Sequence, residues 1–296
     1  VSSSLSALPR THTPGARALR IGLYLMLALF ALYYITPLLV LVATAFKTPD
    51  EIRTGSLLSL PLAPTLDAWR TAWNQACIGA DCRGLAPYFW NSVAIAVPGV
   101  LLSTALGALN GFALTKFRFR GANVVFGLML FGSFLPFQLV LLPMAQTLGF
   151  LGMAGTTQGL VLVHVVYGLA FTTLFFRNYY VSLPDELVKA AIIDGAGFVQ
   201  IFTRIILPMS PPIIVVTVIW QFTQIWNDFL FGASFAAGGA QPITVALNNL
   251  VNTTTGVKQY NVDMAGALIA GLPTLIVYVL AGRYFIRGLT AGSVKG

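Results

Sequence analysis

A chain of 296 residues that is 57% hydrophobic and only 9% Asp, Glu, Lys or Arg is not an ordinary soluble enzyme, a disordered chain or a nucleic-acid-binding module, since soluble domains carry about 25% charged residues. The net charge of +8 fits a polytopic membrane protein whose cytoplasmic loops collect Lys and Arg better than it fits a basic partner surface. Two cysteines cannot build a disulfide-rich scaffold.

A helix needs about 20 apolar residues to cross a bilayer. Six stretches qualify: Ile21 to Phe46, Phe89 to Leu114, Val124 to Leu148, Thr157 to Phe176, Pro208 to Phe231 and Met264 to Phe285. They predict an all-α polytopic membrane protein with a segment 1–20, a six-span domain 21–285 and a tail 286–296, both termini on one side. With the termini cytoplasmic, the inner segments hold Arg10, Arg17, Arg20, Lys116, Arg118, Arg120, Arg177, Lys189, Arg204, Arg283, Arg287 and Lys295. The outer ones hold Lys47, Arg53, Arg70, Arg83 and Lys258. This excess of basic residues places the termini inside. The first apolar run is too long for a cleavable signal and reads as a retained anchor. Residues 1–19 are polar, with Pro9 and Pro14, and read as poorly ordered.

The outer loop 47–88 is punctuated by Pro61, Pro64 and Asp67, and Leu66 to Ala76 reads as a short helix carrying Trp69 and Trp73. Cys77 and Cys82 both fall here, on the oxidising side. A bridge between them would close a tiny loop, worth about 2 kcal/mol in the chain-entropy model; two unpaired thiols are the alternative. No His accompanies them, so no metal site is expected. The turn 115–121 is basic and short, and a topology anchor accounts for it.

The inner loop 177–207 is long. Pro184 with Asp185 and Glu186 suits a helix start, because Pro fits the first turn and acids offset the N-terminal dipole. Lys189, Ala190, Ala191, Ile192 and Ile193 continue it, and Asp194-Gly195-Ala196-Gly197 turns the chain. A second amphipathic stretch runs from Phe198 to Leu207. The small apolar surface at the bend calls for a partner. An interfacial helix on the membrane is the rival reading, weakened because Lys189 is the helix's only cation.

Polar residues within spans are the candidates for a pathway. Trp220, Gln221, Gln224, Asn227 and Asp228 lie along one flank of span 5, where Trp220 or Trp226 would stack on the apolar face of a solute while the amides bond its hydroxyls. Hydrogen bonds between subunits explain the same residues, and Asp228 also reads as an interfacial residue exposed to water. His164 and Tyr167 share a face of span 4; structural hydrogen bonding is favoured over a proton relay. Gly107, Gly111, Gly127 and Gly132 read as close-packing positions. Pro136, Pro143, Pro211 and Pro212 read as kinks or helix starts. The chain lacks the G-x-x-x-x-G-K-[ST] phosphate loop and any evident catalytic or metal-ligand spacing, so it is not expected to be an enzyme.

Lys189-Ala190-Ala191-Ile192-Ile193-Asp194-Gly195-Ala196, followed by Ile206-Leu207-Pro208, resembles the EAA loop of bacterial ATP-binding-cassette importer permeases. Asn91-Ser92, Lys116-Phe117-Arg118-Phe119-Arg120-Gly121, Leu135-Pro136-Phe137-Gln138, Trp226-Asn227-Asp228 and the tail Gly288 to Gly296 extend the likeness to the maltose-permease-like, carbohydrate branch over nearly the whole chain after residue 20. Lys189 departs from the Glu of the family pattern, so the ion pair that Glu would make with the ATPase is not assumed. The Leu-Val-Lys-Ala-Ala variant is similar to glucose/mannose-type permeases and points to a hexose.

The resemblance implies a bacterial inner-membrane subunit with no cofactor of its own, and a coupling helix docking on the ATPase through Lys189, Ala190, Ala191, Ile192, Asp194, Gly195 and Ala196. Its implied partners are a second permease subunit, two ATPase subunits using ATP and Mg, and a periplasmic or extracellular sugar-binding protein. Membrane lipid is a further partner; nucleic acid is not. An ion-coupled secondary transporter is the alternative, and it predicts inverted repeats and several intramembrane charges, which the sequence does not display.

Overall fold

The computed structural model describes residues 14–117, 119–252 and 257–293, with backbone alone for 14–16 and 282–293. Arg118, the polar residues 1–13 and the last residues of the tail, 294–296, lie outside the described residues. In chain order the helices are α1 (Pro14–Ala45), α2 (Pro49–Thr54), α3 (Asp67–Asn74), α4 (Ala86–Lys116), α5 (Ala122–Phe134), α6 (Phe137–Phe150), α7 (Thr157–Val181), α8 (Asp185–Ile193), α9 (Phe198–Ile201), α10 (Pro211–Trp226), α11 (Leu230–Phe235), α12 (Ile243–Val251) and α13 (Tyr260–Ser293). Four of them, α1, α4, α7 and α13, are each long and apolar enough to cross a membrane; two bent pairs raise the number to six if each pair counts as one span.

Proline chemistry explains where the expected spans break. The span read as Val124 to Leu148 is two helices, α5 and α6, meeting at 102°. Pro136 has no N–H to continue α5 and disfavours helical backbone at the residue before it, and Leu135 is extended at φ −64°, ψ 134°. The span read as Pro208 to Phe231 holds α10 and the first two residues of α11. The 198–209 segment, which passes through a π-turn and a 3-10 turn, meets α10 at 81°. Pro211 and Pro212 sit in the first turn of α10, where their missing N–H groups cost nothing, while Pro143 lies inside α6. Two boundaries also move outward. Helix α1 begins at Pro14, inside the segment read as poorly ordered. Helix α13 runs to Ser293, so most of the expected tail continues the last helix.

Helices α4 and α7 form the centre. Gly107 lies under Thr172 and Gly111 under Phe176, so closely that a Cβ at either would overlap the neighbour. Gly127 and Gly132 do not play that part within this chain: nothing lies within 4 Å of where their Cβ atoms would be. Among the described residues, helix α1 is attached by its far end. There Thr44, Ala45 and Lys47 are buried, and Asn261 Nδ2 donates to the Lys47 carbonyl at 3.1 Å.

Within the 47–88 segment one carboxylate gathers the stretch from Thr48 to Ala63. Glu51 Oε1 accepts the N–H groups of Leu62 (3.0 Å) and Ala63 (2.9 Å), and Oε2 accepts that of Thr48 (3.1 Å). The Ala63 N–H first, then those of Thr48 and Leu62 and the Lys47 charge, hold the Glu51 carboxyl below its ordinary value of 4.5. A depressed folded-state pKa contributes stability above the unfolded value, and that stability is lost as pH falls through the folded one. Limited proteolysis of this segment is therefore expected to quicken as pH drops below the ordinary carboxyl range. Glu51→Gln is expected to show the same quickening at neutral pH. Further along the segment, Cys77 and Cys82 are joined in a disulfide.

Candidate functional site

Where α6, α7, α10 and the chain after α10 converge, they enclose a cavity of about 430 Å³. Seven of the eight polar and aromatic residues singled out from spans 4 and 5 line it: His164, Tyr167, Trp220, Gln221, Gln224, Asn227 and Asp228. Sequence reasoning missed Phe137, Gly168, Phe171 and Phe231, which also form part of the wall. Phe137 arrives there only because α6 turns at Pro136. Gly168 lies flat against the Gln221 amide, where a Cβ would overlap it.

The side chains divide into held and open ones. Gln221 is 1% exposed; its Nε2 donates to the His164 carbonyl at 3.3 Å, and its Oε1 has no hydrogen-bond partner among the described residues. Gln221 thus bonds across α10 and α7 within the chain. Gln224 is exposed. Asn227 is exposed as well, its Oδ1 accepting from Thr274 Oγ1 at 3.2 Å. Trp220 packs against Phe171 and Phe175, ring centroids 5.2 and 5.3 Å away.

Asp228 is not an exposed interfacial acid, for its side chain is 14% exposed. Its carboxylate takes the N–H groups of Phe231 (3.3 Å) and Gly232 (3.1 Å), starting α11 as an N-terminal cap does. The Thr244 hydroxyl donates to its carbonyl at 2.5 Å. His164 Nε2 stands 3.7 Å from Asp228 Oδ2, beyond hydrogen-bond range, and the His164 and Tyr167 rings both meet Phe231 edge-on. Trp226, an expected stacking residue, faces away. It is 2% exposed, stacks on Phe222 at 5.5 Å and donates its Nε1 H to the Ala270 carbonyl at 2.9 Å. Aromatic faces beside exposed amides suit a polyhydroxylated molecule, whose C–H faces stack while its hydroxyls bond.

At the opposite end of α7 lies the helix-turn-helix of 185–209. Asp185 and Glu186 occupy the first turn of α8. Its C-terminus closes as a Schellman motif: Gly195 has φ +80°, its N–H bonds the Ile192 carbonyl at 3.0 Å, and the Ala196 N–H bonds that of Ala191 at 2.9 Å. One face is anchored. Val188, Ala191, Ile201 and Ile206 are buried with Phe112 of α4 and Phe176 and Tyr180 of α7. Phe198 lies 4.9 Å from Phe112 and 4.8 Å from Phe117. Tyr179 donates to the Met209 carbonyl at 2.7 Å, and the Tyr180 hydroxyl lies 3.0 Å from Ser210 Oγ.

Lys116, read from sequence as a topology anchor and as part of a family-like stretch, ties this unit to α4. Its side chain is 3% exposed, and its Nζ lies 2.6 Å from both Asp185 Oδ1 and the Leu183 carbonyl. The other face is open: Leu187, Ile192, Ile193 and Val199 are exposed, Ile193 to 85%. Lys189, Ala190, Asp194 and Gly195 are exposed beside them. Lys189 makes no ion pair among the described residues.

A multi-span helical chain with a polar and aromatic cavity at one end, and an anchored helix-turn-helix with a bare apolar face at the other, is built as the membrane subunit of a transport system. The sequence matches the family described as binding-protein-dependent transport system inner membrane component over residues 83–287, and the chain belongs to that family. It is an all-α, multi-pass inner-membrane protein.

The chain is 40% identical over 279 residues to a probable ABC transporter permease of Pyrococcus horikoshii, covering 94% of this chain and 98% of that one. It is 33% identical over 291 residues to a xylose/arabinose import permease of Haloferax volcanii, covering 91% and 92%. In fold it is similar to a chain of a bacterial ABC transporter involved in the import of the acidic polysaccharide alginate, with a TM-score of 0.80 at 19% identity, covering 94% of this chain and 100% of that one.

Proposed function

We propose that this chain is a permease subunit of an ATP-binding-cassette sugar importer. It lines the translocation pathway together with a second permease subunit. A periplasmic sugar-binding protein delivers the substrate at the 47–88 end, and two ATPase subunits dock on the bend 189–196. The family match over residues 83–287 carries the reading, because it takes in both the cavity and the helix-turn-helix. The pentose import permease of Haloferax volcanii supports a sugar as substrate, and the narrower form of the proposal is a hexose of the glucose or mannose type.

In mechanism, the ATPase pair closes on ATP and moves α8. Because Val188, Ala191 and Phe198 pack on Phe112 and Phe176, α4 and α7 move with it, and α7 carries His164 and Tyr167 in the cavity wall. Such a switch requires each ligand to favour one of two states. Sugar stacks on Trp220 and bonds Gln224 and Asn227, while ATP and Mg act in the ATPases alone.

The test is uptake by vesicles holding the chain with its co-purified partners and binding protein, using labelled glucose and mannose first and xylose next. Uptake is expected to require ATP. Trp220→Ala is expected to slow it about tenfold, the equivalent of about 1.4 kcal/mol of lost stacking and burial. ATP-independent uptake driven by an ion gradient would overturn the reading in favour of a secondary transporter.

A further inference from the structure

We propose that the groove between α3 and α13 binds one acidic phospholipid, with an acyl chain along α13 and the phosphate at Arg70. The groove holds about 530 Å³ and is lined by two helical stripes. From α3 and the residue before it come Leu66, Trp69, Arg70, Trp73 and Asn74; from α13 come Ile269, Leu272, Pro273 and Ile276; Phe89 closes the floor. Both sets follow the three-and-four spacing of a single helix face. The opposite face of α3 is made of Ala68 and Ala72, 2% and 0% exposed, so the small residues seat the helix and its large ones front the groove.

The occupant follows from the chemistry along the groove. The α13 wall is aliphatic, and Leu272 and Ile276 are 39% and 51% exposed. It runs from about 13 to about 24 Å along the helix from its start at Tyr260, a depth that lies in hydrocarbon. At the other end stand Arg70, Asn74 and two indoles, the residue types that settle at a membrane–water interface. Arg70 is exposed and makes no ion pair among the described residues. A guanidinium left without a carboxylate is matched by a phosphate, which it binds bidentately, and a headgroup without an ammonium adds no opposing charge. On the charge bias of the sequence this is the external leaflet. The site involves neither the cavity nor the 185–209 unit and does not rest on the transport reading.

The experiment uses the chain with its native partners in phosphatidylcholine vesicles carrying increasing fractions of phosphatidylglycerol with brominated acyl chains, which quench nearby tryptophans. The emission of Trp69 and Trp73 is isolated as the difference from the Trp69→Phe/Trp73→Phe variant. Brominated phosphatidylglycerol is expected to reach half-quenching at about a fivefold lower fraction than brominated phosphatidylcholine, the size of one basic residue's attraction to an acidic headgroup. Arg70→Gln is expected to erase that difference. Leu272→Trp, which fills the groove, is expected to erase it as well while leaving ATP-dependent uptake unchanged. Equal quenching by the two lipids, or a preference that survives Arg70→Gln, would reduce the groove to ordinary lipid contact. Absence of quenching by either lipid would mean that another protein segment covers it.

Discussion

Gly195→Pro is expected to lower both ATPase co-purification and ATP-dependent uptake at least tenfold. The native turn needs φ +80° and an N–H that bonds the Ile192 carbonyl. Proline supplies neither, since its ring fixes φ near −65° and it has no N–H. The Ala196 N–H would then be carried away from the Ala191 carbonyl, and the Schellman closure of α8 would open. The loss would be local: Val188, Ala191, Ile201 and Ile206 stay buried against α4 and α7, so the spans themselves should persist. Gly195→Asn serves as the control, because Asn tolerates left-handed backbone at a cost of about 1 kcal/mol; it should retain at least half of both signals. A proline variant that captures ATPase and transports normally would remove the bend 189–196 from the coupling contact.

The lettering of this chain discloses its spans, and discloses poorly how they bend. Hydropathy locates Thr157 to Phe176 well, because α7 is one unbroken apolar helix. It cannot tell that Val124 to Leu148 turns by 102° at Leu135-Pro136, since a proline in an apolar run reads equally as a kink within one span. That single bend brings Phe137 to the cavity, so the missing wall residues and the missed break have one cause. The polar flank of span 5 was legible from spacing alone. The pairing of Asp228 with the α11 N-terminus was not, because it needs the helix to stop at Trp226. The helix-turn-helix was the most legible part, its Pro, acids and Gly acting locally. Lys116 was not: its partner Asp185 is distant in sequence, and a basic turn already has a sufficient reason to exist.

The crossing of α4 on α7 yields the second large effect. Gly107→Leu is expected to prevent recovery of folded protein, and Gly107→Ala to cost about 2 kcal/mol, read as a lowered thermal midpoint in detergent and a matching loss of uptake. A Cβ at residue 107 would stand 2.5 Å from Thr172 Oγ1, 2.6 Å from its Cβ and 2.9 Å from its carbonyl carbon. Rotating Thr172 relieves only the first of these contacts, so the helices themselves must part. Parting them disturbs both ends at once, for α7 carries His164 and Tyr167 in the cavity wall and Phe176 against the helix-turn-helix. Thr172→Gly should recover part of the stability lost in Gly107→Ala, a coupling that contacting residues show and distant ones do not. Gly127→Ala and Gly132→Ala are the contrast. Each meets open space within this chain, so the midpoint of the isolated subunit should move by less than about 0.5 kcal/mol in equivalent stability. If the same two variants instead weaken only the assembled importer, α5 is the face on which a neighbouring subunit packs.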